Sequence, residues 1–468
     1  MQTHHNFFQR LLTLPVTMLL AVPTFAQGLR SAYFTDGYLY QHTLNPAMGN
    51  DQNYVALPAL GNINAETHGN FGYEDLVRDN PLYPTESDKK KTSFLNPYLS
   101  DPLKGFNKNW NRVGADVSLT LLSGGFKAFG GYNTVEINAK STTNVKLPYE
   151  LFRFAADVGN DTYNIGDLYV NSQNYMEIAL GHSRDINSKW RVGAKLKVLL
   201  GVADADVKMQ NVTAQLTGDS WTLHGDAQAH MSMKGWKYKT ATKEYKSQEG
   251  SYSYINDVDV DGAGIGGVGL AADLGTVFRP DKYWEVSAAL LDVGFIHWSN
   301  DCYATNTDKD FTFSGFHDTG VTSSEGNTAD DQWDKYSDQI AQFYNLQDKG
   351  DQGSRTTMLS ARMNIGVRYT LPVYEKLHFG LLSATRFCGK HTWTEGRLSA
   401  NWEPLCWLDG GVNLAANTFS TSMGWVVNVH PKGFNVFFGM DHLIGKVSKE
   451  MIPLSSNASF SMGMNVTF

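Results

Sequence analysis

The final residues, 458–468, alternate strictly. Phe460, Met462, Met464, Val466 and Phe468 fall on one face; Ser459, Ser461, Gly463, Asn465 and Thr467 fall on the other. Successive strand side chains point to opposite sides, so this is a strand with one apolar and one polar face. A transmembrane barrel is built from such strands, with about ten residues per span and apolar side chains toward lipid. An edge strand of a soluble β-sandwich would alternate in the same way. The aromatic end of the run favours the barrel, because termini of soluble domains are usually polar and loose. The apolar set 460, 462, 464, 466 and 468 is therefore a candidate membrane-insertion strand.

From Tyr54 onward the pattern repeats as hairpins. Residues 111–122 and 129–145 flank Ser123-Gly124-Gly125, and 175–183 and 190–200 flank a turn at 184–189. Residues 207–216 and 221–231 flank 217–220, and 266–278 and 284–298 flank 279–282. Residues 363–370 and 377–387 flank 371–375, and 421–430 and 434–442 flank 431–433. Each connector carries Gly, Pro, Asn or Asp, as tight turns require. A second set of connectors is longer: 69–110, 146–173, 234–262, 299–357 and 445–456. Short periplasmic turns alternating with long outer loops are a feature of membrane barrels, and a sandwich has no reason to segregate loop length in this way. If Phe468 ends in the periplasm, counting backwards puts every short turn there too. The prediction is an all-β protein, a transmembrane antiparallel β-barrel of about 14 strands (range 12–16), with long outer loops carrying short helices. The stretch 393–417 is the hardest to divide, because Glu403-Pro404-Leu405-Cys406 blurs the strand ends.

Two outer loops carry a helical period. Trp333, Tyr336, Ile340 and Phe343 recur at helical spacing within 330–344, and 148–156 opens on Pro148 at a favoured first helical position. Such helices either pack a long loop onto the barrel rim or serve as a lid or docking surface.

The amino-terminal end predicts the compartment. Residues 1–26 place His4, His5 and Arg10 before the apolar run 11–22, and Thr24-Phe25-Ala26 closes on small residues. This order reads as a secretory signal peptide cleaved near Ala26. No Cys follows the cleavage site, so no lipid anchor is expected there. Residues 27–53 show neither strand nor helix period and form a compact periplasmic plug segment; the barrel is assigned to 54–468.

Composition narrows the function. Hydrophobic residues are 42% of the chain, and the mean hydropathy of -0.33 excludes a bundle of membrane helices but not a barrel, half of whose strand positions face water. A net charge of -8 argues against nucleic acid as a partner. Three cysteines, Cys302, Cys388 and Cys406, are too few for a disulfide scaffold, and the topology puts Cys388 and Cys406 at opposite ends of the barrel.

Candidate chemistry is sparse. The run Gly262-Ala263-Gly264-Ile265-Gly266-Gly267 matches G-x-G-x-x-G but leads into a strand pattern, not the helix a dinucleotide site needs. Its glycines suit a bend or the close approach of a plug. Asp257, Asp259, Asp261 and Gly262 imitate a calcium loop whose twelfth position is Val268, so the bidentate carboxylate is missing. Cys388 with His391 makes two ligands, too few for structural zinc. Asp36 with His42 and His182 with Asp185 are ordinary polar pairs. No catalytic residue, metal or cofactor is expected, and the chain is not read as an enzyme.

Three stretches carry a family resemblance. Asn45-Pro46-Ala47 is similar to the plug motif of the long-chain fatty-acid transporter (FadL-type) barrels. Residues 425–435 resemble a late hairpin of the PorV-like barrels, and Gly193-Ala194-Lys195-Leu196-Lys197 resembles their recurrent inner strand. The opening Ser31-Ala32-Tyr33-Phe34 is similar to an uncharacterised outer-membrane family of Gram-negative bacteria. The resemblance implies a fourteen-strand outer-membrane barrel with a small plug that handles a hydrophobic or amphipathic small molecule. The PorV-like side implies instead a partner of a protein-secretion or surface-assembly machine. Membrane lipid and, during insertion, the barrel-assembly machinery are the other partners expected. The early strand at 54–57 makes the plug short for a transporter.

Overall fold

The computed structural model describes residues 28–83, 90–156, 159–320, 327–443 and 457–468. The expected signal peptide, 1–26, lies outside them. Fourteen staves close into one antiparallel ring. The first, β1, is broken into Tyr54–Ala56 and Ile63–Gly69. Next come β2 (Trp110–Ala128), β3 (Gly131–Pro148), β4 (Thr162–Asp185), β5 (Trp190–Leu216), β6 (Gly267–Phe278) and β7 (Trp284–Trp298). The stave β8 joins Arg355–Met358 to Ala361–Thr370. The last six are β9 (Leu377–Phe387), β10 (Trp393–Leu405), β11 (Leu408–Asn417), β12 (Thr421–Val429), β13 (Asn435–Met440) and β14 (Ala458–Thr467). The ring shuts where β1 pairs with β14 on one side and β2 on the other, Ile63 opposite both Met462 and Leu119. Closure leaves no sheet edge, as a membrane-spanning sheet requires. No helix among the described residues is long and apolar enough to cross a membrane.

The alternation is inside-out relative to a soluble protein. On β5, Leu196 is 71% exposed, whereas Lys195 is 2% exposed. On β14 the expected faces hold: Ser459, Ser461, Gly463, Asn465 and Thr467 point into the barrel, while Phe460, Met462, Met464, Val466 and Phe468 point out. In water an apolar outer wall is a liability; in a bilayer it matches its surroundings. Outward aromatic rings gather near the short-turn end, with Trp190 on Phe278 at 4.5 Å and Trp284 on Tyr369 at 4.7 Å, as an interfacial girdle does.

Four sequence expectations need correction. The stretch Ser123-Gly124-Gly125 is not a turn; β2 runs through it to Ala128, and the turn is Phe129-Gly130, at φ 57° and 73°. Two successive positive φ values are what a tight hairpin demands. The glycine Gly125 lies instead inside the barrel, against the Tyr54 and Tyr132 rings. Second, 190–200 and 207–216 are one strand of 27 residues, so the short turn at 217–220 lies at the outer end, not the periplasmic one. The following strand, Trp221–Met233, is no stave; it pairs with the distal part of β5 and with Cys302–Asn306 and Asp310–Phe313. Third, two outer connectors are short, 388–392 and 418–420. Fourth, after the short α1 (Tyr73–Leu76), the two expected loop helices exist, α2 (Tyr149–Ala156) and α3 (Ala329–Tyr344), but α3 does not bury its apolar stripe.

Trp333 is 57% exposed, and Tyr336, Ile340 and Phe343 are only half-buried; the buried positions are Gln332, Asp338 and Ala341. Polar bonds hold this helix down. Asp338 accepts from the Lys246 and Ser247 amides at 2.8 Å, and Gln332 bonds the backbone at His317. By contrast α2 packs its loop: Phe152 stacks on Phe106 at 4.1 Å beside Phe71 and Phe94.

Candidate functional site

Residues 28–53 enter the barrel and fill it. The segment has only two 3-10 turns, Arg30–Ala32 and Gln41–Thr43, yet Leu29, Tyr33, Tyr38, Tyr40, Asn45 and Ala47 are fully buried. The segment expected to be a plug therefore packs against the inner wall, its Leu29, Tyr33, Tyr38 and Tyr40 clustering with Tyr54, Tyr132 and Phe437. Glycines in the wall admit it. Gly193 on β5 and Gly275 on β6 stand opposite each other. A Cβ on Gly193 would lie 2.1 Å from the Pro46 carbonyl oxygen, and one on Gly275 would lie 2.1 Å from Asn45 Oδ1. The motif Asn45-Pro46-Ala47 thus seats on a two-glycine window. Asn45 Oδ1 accepts from the Ala47 amide at 3.0 Å, and its Nδ2 donates to the Thr276 and Ala288 carbonyls at 3.3 and 3.4 Å.

Buried charge ties the plug to staves around the ring. Arg30 pairs with Glu66 of β1, with Glu395 of β10 at 3.3 Å, and with Asp441 at 3.5 Å. The Ser31 amide donates to Asp441 at 2.6 Å. Glu395 is shared with Arg397, at 2.7 Å. On the other side His42 bonds Tyr54 at 3.0 Å and Lys195 at 2.9 Å, and Lys195 pairs with Glu136. Asp36 forks with Arg368 at the periplasmic mouth and lies 3.4 Å from His378. Beside the plug, Lys197 sits between Asp273 and Asp292, and Lys140 bonds Glu177. Each ion is matched, so taking these charges out of water is offset by close partners. Asp36 and His42 are far from being a dyad, and His182 bonds Asn133 rather than Asp185.

The outer half of the lumen differs. Arg112 of β2 and Lys146 of β3 stand directly opposite each other, both in the inward phase. Like charges across a ladder are destabilising. Neither forms an ion pair among the described residues. Arg112 donates to the Thr392 carbonyl at 3.3 Å, and the Lys146 ammonium lies 3.6 Å from the Trp110 ring centre. Lys390 lies 3.8 Å from the Tyr169 ring centre, and the nearby acid Asp167 is taken by Tyr169 and Lys390. His391, reaching over from the β9–β10 connector, is pushed down to about 3, first by burial and then by the charge of Arg112 and Lys146. The site is thus a cationic cluster walled by aromatic rings.

Below the plug, a polar cup of about 450 Å³ opens at the periplasmic mouth, lined by Asp36, Gln41, Arg191, Arg368, Asp409 and His430 among others.

Asp257 and Asp259 lie in the outer strand Ser251–Val260, where Asp259 pairs with Lys239, and no metal-binding group of three occurs among the described residues. The glycines Gly201 and Gly267 make room for the Trp298 indole rather than for the plug. All three cysteines are free. Sequence reasoning noticed Lys195 and Lys197 but missed Arg30, Arg112 and Lys146. For Arg112 and Lys146 a charged residue in the inward phase of a strand was the available signal; Arg30, in a 3-10 turn, had none.

The model of a family described as a family of unknown function (DUF5723) matches residues 46–441. No curated protein matches. Among solved structures the chain is similar to the toluene transporter TbuX of Ralstonia pickettii, with TM-score 0.39, 8% identity, and 96% of this chain and 95% of that one covered. It is similar to the toluene transporter TodX of P. putida at TM-score 0.38 and 9% identity, over 90% of each chain. The CymD monoaromatic hydrocarbon channel matches at TM-score 0.35 and 8% identity, over 95% of this chain and 93% of that one.

Proposed function

The chain belongs to this family of unknown function, and we propose that it is an outer-membrane barrel that binds an anionic amphipathic small molecule in its outer lumen, above a plug that controls passage. The observation that carries this reading is the cross-strand pair Arg112 and Lys146, two inward cations with no carboxylate partner among the described residues. Elsewhere in the lumen cations are matched by acids, so an unmatched pair invites a ligand that supplies the missing charge. A carboxylate, sulfate or phosphate head would accept from the guanidinium and the ammonium together. The Trp110 and Tyr169 rings beside them offer apolar surface to the start of a hydrocarbon tail. Passage further in meets the plug, pinned by Arg30, His42 and Asp36, so transfer to the periplasmic cup requires those bonds to open.

Binding of a fluorescent fatty carboxylate, compared with its neutral alcohol, tests the reading. A charge-assisted hydrogen bond contributes about 1.5–3 kcal/mol. The Arg112→Gln, Lys146→Gln double variant should therefore bind the carboxylate at least tenfold more weakly and the alcohol unchanged. Equal carboxylate affinity in the two proteins would sink the proposal.

A second reading, as partner of a secretion or surface-assembly machine, draws on the outer surface. There the exposed Trp333 ring stacks on Phe316 at 6.5 Å, beside Phe313 and Tyr336. Crosslinking through position 333 that captures only lipid and folding machinery would remove it.

A further inference from the structure

The outer wall of the barrel carries a trough that the lumen reading does not use. On β11 the outward positions run Leu408, Gly410, Val412 and Leu414. Gly410 lies between Trp402 of β10 and Val427 of β12 in the same row. With no side chain there, the wall dips. A Cβ at Gly410 would come 2.5 Å from the Val426 carbonyl oxygen, so the dip is built into the backbone. The ladder between β10 and β11 also slips between Trp402 and Leu405, and such an irregularity bends the sheet locally. The result is a groove of about 960 Å³, walled by Tyr374, Leu377, Trp402, Val412, Trp425 and Val427.

Two polar features mark its periplasmic end. The Trp402 Nε1 donates to the Tyr374 hydroxyl at 3.1 Å, which fixes the rim. Lys376, in the β8–β9 turn, is exposed, and its ammonium makes one bond among the described residues, to the Pro404 carbonyl at 3.5 Å. The neighbouring Lys282, by contrast, is paired with Glu375 at 3.3 Å. Tryptophan and tyrosine with an exposed lysine at the end of a lipid-facing groove match the headgroup level of a bilayer.

We propose that this groove is a fixed phospholipid site of the periplasm-facing leaflet, with an acyl chain along the Gly410 trough and the lipid phosphate on Lys376. The argument requires only that the barrel spans a bilayer, and is independent of the lumen site. Outside this wall the solvent is hydrocarbon, and a trough left empty would forfeit dispersion contacts along its length. The ammonium selects an anionic headgroup over a zwitterionic one.

Native mass spectrometry of the protein extracted in mild detergent, then offered phosphatidylglycerol and phosphatidylethanolamine, tests the site. The expected result is one retained phospholipid with phosphatidylglycerol preferred. Lys376→Gln should reduce that preference severalfold. Val427→Trp, which carries bulk across the trough, should abolish retention. Leu270→Trp, an outward position on β6 away from the groove, should leave retention unchanged. Heat-modifiable mobility on a gel confirms that each variant barrel is folded. Retention by Val427→Trp at the level of Leu270→Trp, or no retained phospholipid in the parent protein, would overturn the proposal.

Discussion

If the plug seats on glycines, one added side chain should lift it. Gly193→Val places a Cβ 2.1 Å from the Pro46 carbonyl oxygen, 2.3 Å from its carbon and 2.5 Å from the Ala47 nitrogen. All three are backbone atoms and cannot rotate away. Interiors are packed too closely to absorb the overlap, so the motif must retreat by roughly 1 Å. That retreat breaks the Asn45 bonds to the Thr276 and Ala288 carbonyls, already at 3.3 and 3.4 Å. Overpacking costs about 1–3 kcal/mol and each of the two long hydrogen bonds about 0.5 kcal/mol, the low end of the usual range, so seating should weaken by about 2–4 kcal/mol. At about 1.4 kcal/mol per tenfold, the unseated fraction rises roughly 30- to 700-fold. Single-channel conductance in planar bilayers and protease cleavage within residues 28–53 should both increase. Gly396→Val is the control, because a Cβ there meets nothing within 4 Å. Heat-modifiable mobility should be normal for both, since neither substitution removes a backbone bond between staves. A Gly193→Val protein as tight and as protease-resistant as Gly396→Val would refute the seating geometry.

The remaining predictions probe other bonds of the same plug. Pro46→Ala removes only a preset φ, so dye leakage should rise less than for Gly193→Val, with gel mobility normal; no change in permeability would reduce the motif to a turn. Arg30→Leu strands Glu66, Glu395 and Asp441 without their shared guanidinium, and removing one partner of a buried ion cluster costs about 3–5 kcal/mol. Thermal release of the plug, followed by proteolysis, should shift well below the parent temperature, and an unshifted profile would deny Arg30 its role. At the mouth, the His430 imidazole is held above its ordinary range by the Asp409 carboxylate 3.5 Å away, which also accepts from the plug amide of Gly37 at 2.7 Å. A raised folded pKa gives stability that is complete below about pH 6.5 and lost as pH rises through the raised value. Cleavage of the plug should therefore increase as pH rises above about 6.5, and His430→Gln should flatten that dependence; a parallel rise in both proteins would exclude the pair.

How far each element was legible in the sequence followed from the reach of its signal. The faces of β14, the hairpins around 279–282, 371–375 and 431–433, and both loop helices were readable, because side-chain periodicity and turn chemistry are local. The break placed inside β5 failed for a physical reason. Its distal part rises beyond the ring of staves, where Asp206, Lys208 and Gln210 are half-buried while Ala214 and Leu216 pack into a cluster with Tyr163, Ile165 and Leu168, so the alternation of apolar and polar faces fades although the strand continues. Ser123-Gly124-Gly125 failed because a glycine that makes room for a tyrosine ring is indistinguishable in sequence from one that makes a turn. The stripe of α3 failed because Asp338 and Gln332 found backbone partners supplied by other loops.

By itself, the sequence determined an inside-out barrel, its approximate strand number, and the lack of strand or helix period in the segment bearing Asn45-Pro46-Ala47. Period-two patterning states which face each side chain takes, and that is enough to choose between lipid and lumen. Only the tertiary structure decided which lumen charges meet. Arg30 finds Glu395 and Asp441 across hundreds of residues, and Asn45 finds a window made by two glycines on neighbouring staves. It also decided that Arg112 and Lys146 face each other with no acid paired to either among the described residues. Barrel closure and register set those distances, and neither is encoded within the reach of any local pattern.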